Sequence, residues 1–182
     1  WSTLHPEFAF LPRKFKIAVV ATEEDRAAIE VHDVGIRIKK HVIHGLAFDL
    51  WVGGGLGRTP LLGHRLLADL PLDELRNWLT AVLRVYNLAG RRDNKYKARI
   101  KILVNAMGVE AFREAVTHRY LTDHDSDLKI SAETLEDLGD SFSRNLEPQP
   151  IEGHQGSPDF QRWYRQNTKP HRIMGYRSVF IS

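Results

Sequence analysis

The sequence predicts an α+β fold, a mixed sheet with helices packed around it. Short β-branched runs stand at residues 15–22, 35–45 and 46–55. An amphipathic segment follows at 70–90 and a second helical pattern at 109–121. The chain has 182 residues, 42% hydrophobic and 27% charged, which suits one domain, or one domain plus part of another.

"FKIAVVAT", residues 15–22, reads as a buried strand between Pro12 and the polar "TEEDR", and a short helix is expected at 23–30. "GIRIKKHVIHG" and "LAFDLWVGGG" read as two strands turning near Gly45, the second ending in Gly53, Gly54 and Gly55. "LPLDELRNWLTAVLRVYNLAG" is the clearest helix. Leu75, Leu79, Val82, Leu83 and Tyr86 repeat at helical spacing, Asp73 and Glu74 sit in the first turn, and Gly90 offers a stop. "RRDNKYKARIKILVNAMGVEAF" is ambiguous. Lys95, Lys97, Arg99 and Lys101 alternate like a strand face, while Ile100, Leu103, Val104 and Met107 follow a helical period; the longer apolar pattern decides for helix. "VEAFREAVTHRYL" is another helix. Residues 122–157 turn polar, with one short helix near 131–142. "SPDFQRWYRQN" starts a helix with Ser157 as cap and Pro158 at its first position, and 173–181 reads as a strand.

Composition narrows the chemistry. No apolar run approaches the ~20 residues of a membrane span, and no secretory signal is visible. With no cysteine, this chain offers no disulfide, thiolate metal site or iron–sulfur ligand. A net charge of +3 points to anionic ligands without requiring nucleic acid. Trp1 and the strand-like "YRSVFIS" at the other end read as cuts through a longer protein.

Three stretches are candidate sites. In "FLPRKFKIAVV", residues 10–20, strand alternation puts Lys14 and Lys16 on one face and Phe15 on the other. Two adjacent ammonium groups make each other better proton donors and clamp a small dianion; the plain alternative is a solvated strand end protected by lysines. In "VGGGLGRTP", glycines after a strand let backbone N–H groups approach an anion, with Arg58 beside them. The spacing fits neither the dinucleotide fingerprint nor the phosphate loop, so a wide glycine turn is the alternative. In "RRDNKYKARIK", Lys95 and Arg99 are one turn apart if helical, and form either an anion site or a solvated basic face. Of the nine histidines, His41 and His44 would face opposite sides of a strand and His124 lies in "TDHDSD"; no spacing is diagnostic of a metal site, and none is expected.

"LPRKFKIAV", "VHDVG", "LWVGGGLGRTP", "VLRVYNLAGRRDNKYKARIKILV" and "GVEAF", in this order, resemble the hemoprotein subunits of sulfite and nitrite reductases, most closely the beta component of sulfite reductase. The tail "SPDFQRWYRQNTKPHRIMGYRSVFIS" resembles the join into that family's second ferredoxin-like half. The resemblance implies a siroheme/4Fe-4S domain at 1–145, with a linker and the start of the second half at 146–182. It also implies siroheme coupled through a cysteine thiolate to a [4Fe–4S] cluster, six-electron reduction of sulfite to sulfide, an electron donor that is ferredoxin or an NADPH-dependent flavoprotein subunit, and a cytoplasmic location. By motif position, Arg13 would hold a siroheme carboxylate, Lys14 and Lys16 would face the substrate, and Gly53, Gly54 and Gly55 would lie near the cofactor. Arg58, Lys95 and Arg99 would add cations towards its carboxylates. Sulfite reductases resemble Lys-x-Lys at the first motif and plant-type nitrite reductases Lys-Trp-Asn, so Lys14-Phe15-Lys16 favours sulfite over nitrite. The family's cluster cysteines and its other two substrate-facing arginines are absent, so the isolated piece is expected to be inactive and to bind no cofactor. The competing class is a basic anion- or nucleic-acid-binding module, in which the lysine and glycine motifs need not share a cleft.

Overall fold

The computed structural model describes residues 1–142, 156–171 and 173–181. Two compact units are present, Trp1–Leu135 and Glu136–Ser182. The expected boundary at 145/146 and the polar stretch 143–155 lie outside the described residues.

In the first unit a mixed sheet runs in the order β1 (Ile17–Val20), β2 (Val34–His41), β3 (Gly45–Val52) and β4 (His64–Pro71). β1 is parallel to β2, and the remaining pairs are antiparallel. β2 and β3 form the expected hairpin, with Gly45 at φ +68° where the chain turns. Alternation sorts the residues. Val34, Ile36, Phe48, Leu50 and Val52 face the helices and are buried. Ala18, Val20 and Trp51 pack with Ile29 in a second cluster.

The helix expected at 23–30 does not form. Only a single 3-10 turn, Ile29–Val31, is present. The Asp25 carboxylate accepts the Ile29 N–H at 2.9 Å, and Ile29, fully buried, plugs the second cluster. A local side-chain acceptor thus replaces the helical bond. β4 had no counterpart in the sequence reading. A bulge between β3 and β4 puts Leu66 and Leu67 side by side and erases the period of two. Asp69, at φ +57°, gives its displaced N–H to the Asp49 carboxylate at 2.8 Å.

α1 (Leu75–Ala89) buries Leu79, Val82 and Tyr86 in the cluster that covers the sheet, and Leu83 is buried as well. α2 (Ile100–Met107) adds Ile100 and Val104, and α3 (Val109–Asp123) adds Phe112 and Val116. Trp78 of α1 stacks on Tyr120 of α3 at 3.8 Å. α4 (Ala132–Phe142) follows. In the second unit α5 (Pro158–Asn167) is capped by Ser157, whose hydroxyl accepts the Phe160 N–H at 3.2 Å. The strand expected at 173–181 is shorter: β6 (Arg177–Val179) pairs antiparallel with β5 (Thr168–Pro170).

Candidate functional site

Lys14, Phe15 and Lys16 lie in the irregular segment immediately before β1. Phe15 turns inward and stacks on Tyr86 at 6.0 Å, while both lysines are exposed. Among the described residues neither ammonium has an ion-pair partner. The approach to these lysines is strapped to α1. Glu7 takes two bonds from Arg84, at 2.7 and 3.0 Å, and that guanidinium holds the Glu7 carboxyl below its usual range. Pro12 packs on Gly90, where a methyl group would overlap the proline ring and the Tyr86 carbonyl.

Residues 13–16 are joined to residues 95–99 by three polar links. The Arg13 guanidinium donates to the Lys95 carbonyl and lies 5.9 Å from the Tyr96 ring. The Tyr86 hydroxyl donates to the Ala98 carbonyl at 2.8 Å and to the Arg13 carbonyl at 3.3 Å. Burial, then the nearby Asp33 charge, pushes the Tyr86 phenol up to about 12. Asp33 makes the third link. Fully buried, it accepts the Lys16 N–H at 3.1 Å and a bidentate Arg99 guanidinium at 2.8 and 2.7 Å. Its own carbonyl accepts the Gly53 N–H at 3.0 Å. Asp33 therefore ties all three sequence motifs together. Asp33 belongs to none of the three candidate stretches, although an acid at the start of an apolar strand is a usable signal, because such a group must find a partner to be buried.

The third motif departs from expectation. Lys95 lies in a 3-10 turn, Lys95–Lys97, and Arg99 is the residue before α2, so they share no helical face. The Asn94 side chain accepts the Tyr96 N–H at 2.9 Å and starts the turn, and Asp33 draws Arg99 inward. Lys95 stays exposed, 5.3 Å from the Tyr96 ring.

The glycine run is buried, and its neighbours are protein atoms. Gly53 sits at φ +91°, and a methyl on Gly54 would overlap the Glu30 and His32 carbonyl oxygens. Gly55 faces Lys101 and Arg99: a methyl there would lie 3.1 Å from Lys101 Cδ and 3.5 Å from Arg99 Nη2. Lys101, buried and unassigned from sequence, donates its ammonium to the Gly55 carbonyl at 3.2 Å and to the Thr59 carbonyl, closing the loop. Arg58 is exposed on that loop and has no partner among the described residues. Arg13 and Lys14, with Phe8, Leu11, Phe15 and Leu83, line a cavity of about 300 Å³.

The histidines differ from expectation too. His41 and His44 do not face opposite sides; their rings stack at 4.8 Å across the hairpin turn. His124 Nε2 lies 2.9 Å from Glu74. Among the described residues no three His, Cys, Asp or Glu side chains are grouped to hold a metal.

A family model described as the nitrite and sulphite reductase 4Fe-4S domain matches residues 1–124, which contain every one of these links. The chain belongs to the nitrite and sulphite reductase 4Fe-4S domain family. Ferredoxin-type sulfite reductase 1 of Mycolicibacterium paratuberculosis is 43% identical over 117 residues, 64% of this chain and 21% of that protein. Ferredoxin–nitrite reductase of Synechococcus elongatus is 33% identical over 116 residues, 63% of this chain and 22% of that protein. The solved structure of the Mycobacterium tuberculosis NirA protein matches with TM-score 0.58 and 40% identity, covering 64% of this chain and 21% of that one. This chain thus spans about a fifth of the length of these family members. No helix among the described residues is long and apolar enough to cross a membrane.

Proposed function

We propose that this chain forms part of the cofactor and oxyanion cleft of a siroheme-dependent sulfite reductase. The observation that carries the reading is the pair of exposed ammonium groups, Lys14 and Lys16, beside Arg13 on a frame fixed by buried Asp33. The side chains available fit the carboxylate rim of siroheme, since they are cations and hydrogen-bond donors. Arg13 would hold one carboxylate, with Arg58 and Lys95 as further exposed cations. Arg99, already bonded to Asp33, would serve as a paired cation behind Gly53, Gly54 and Gly55. The fit stops at the cluster, for which this chain has no thiolate. Alone it is therefore proposed to be inactive.

Siroheme and its [4Fe–4S] cluster, when bound, supply the electrons. The work of this chain is electrostatic. Sulfite is a dianion when fully deprotonated, and taking it out of water is costly. Lys14 and Lys16 offset that cost, more strongly where water is excluded. Each ammonium can also deliver one proton to a departing oxygen, directly or through water, and is reprotonated from solvent. Ferredoxin or an NADPH-dependent flavoprotein is the proposed electron source, and the cytoplasm the proposed compartment.

Nitrite reduction is the second reading, favoured by the likeness to a ferredoxin–nitrite reductase. Two ammonium groups match a doubly charged oxyanion better than a singly charged one. Lys16→Asn in the siroheme-loaded full-length protein should lower kcat/KM for sulfite by about 100- to 1000-fold and for nitrite by clearly less. Equal losses would remove the charge-matching argument. A binding module for nucleic acid would instead give polyanion affinity that falls steeply with salt.

A further inference from the structure

We infer that Asp33 is a positioning residue, whose buried carboxylate sets where Lys16 stands and holds Arg99 as an internal counter-ion. Only the kinetic arm of its test rests on the proposed oxyanion site.

Lys16 is fixed at both of its backbone polar groups. Its carbonyl accepts the Val34 N–H at 3.1 Å, and its N–H goes to Asp33 Oδ2 at 3.1 Å. A side chain thus stands in for the strand acceptor one step before the β1–β2 ladder begins at Ile17 and Val34. This ends the ladder at the point where the Lys16 side chain reaches solvent. The carboxylate that does so cannot rotate freely, because Arg99 grips both its oxygens. Asp33 and Arg99 cancel in charge and Lys101 is buried, so the positive charge that reaches solvent beside Lys16 comes from Arg13, Lys14 and Lys16 itself. The Asp33 carbonyl holds Gly53, so a shift at residue 33 is felt in both motifs.

The test reads amide hydrogen exchange in the full 182-residue chain. Asp33→Ala should speed exchange at Lys16 by on the order of tenfold while Gly108, held by the Val104 carbonyl at 2.9 Å, keeps its protection. Asp33→Asn, which retains an oxygen acceptor, should leave Lys16 within about threefold of the parent. Adding Arg99→Met to Asp33→Ala should restore thermal stability by removing the stranded charge, and it supplies a folded, acceptor-free background for the amide measurement if Asp33→Ala alone does not fold. In the siroheme-loaded full-length enzyme, Asp33→Ala should lower kcat/KM for sulfite by on the order of tenfold, and should cost little more when Lys16→Asn is already present. Lys16 exchange indifferent to residue 33, Lys16 and Gly108 losing protection together, or full additivity of Asp33→Ala and Lys16→Asn in kcat/KM would each overturn the assignment. A holoenzyme that reduces neither sulfite nor nitrite would remove the functional reading, while the exchange result would still decide the role of Asp33.

Discussion

Tyr86 places one hydroxyl between the Arg13 and Ala98 carbonyls, and the residue scale of this site is set by such shared partners. Tyr86→Phe leaves both carbonyls without that donor and should cost about 1–2 kcal/mol in urea unfolding. The sign of its pH dependence follows from the raised phenol. The folded form stays neutral to about 12, whereas an unfolded tyrosine ionises near 10. The contribution is complete below about pH 10 and is lost as pH rises towards 12, so the alkaline limb of stability between these values should shrink in the phenylalanine variant. Glycine carries a second lesson at this scale. Gly53, Gly54 and Gly55 were legible as a place where backbone comes close to something; from spacing alone that something could be a ligand or the protein itself. For Gly54 it is the Glu30 and His32 carbonyls, which come from a segment some twenty residues earlier in the chain.

At the scale of elements, α1 was the most legible, because its apolar residues repeat at 3.6 and its ends carry recognisable caps. What its first turn does was not legible. Buried Glu74, just before Leu75, receives Lys129 at 2.6 Å, His124 at 2.9 Å and Asn77 at 3.1 Å, and so pins the 124–129 loop to the start of α1. Burial alone would raise the Glu74 carboxyl, but bonds from Lys129, His124 and Asn77 outweigh it and hold the group below its usual 4.5. The stabilisation is therefore present above about pH 4.5 and is lost as pH falls through the lower folded value. Glu74→Gln should lower stability at pH 7 by about 1–2 kcal/mol and flatten the fall of the melting temperature between about pH 5 and 3, as followed by circular dichroism. The 95–99 segment was misread as helical for a related reason. Its alternating cations and the following apolar period overlap, and Asp33, more than sixty residues away, is the group that turns Arg99 inward.

At the scale of the molecule, both hydrophobic clusters lie within Trp1–Leu135. A chain ending at Phe142 should unfold cooperatively with a midpoint within about 5 °C of the parent, measured by calorimetry. A larger drop, or loss of cooperativity, would show that the second unit contributes to that core. The lysine and glycine motifs lie in one unit and meet through a single residue, Asp33, by its carboxylate to Lys16 and its backbone carbonyl to Gly53, an arrangement that an adventitious basic surface does not require.

Sequence by itself determined the α+β class, the β2–β3 hairpin, α1 and the identity of the cationic motif, because period, turn residues and charge are local properties of the chain. Tertiary structure alone decided which cations stay free. Whether a guanidinium or ammonium reaches solvent or is bonded inside depends on partners distant in sequence: the Asp33 carboxylate for Arg99, and the Gly55 and Thr59 carbonyls for Lys101. Those pairings exist only once the sheet and helices have closed around them.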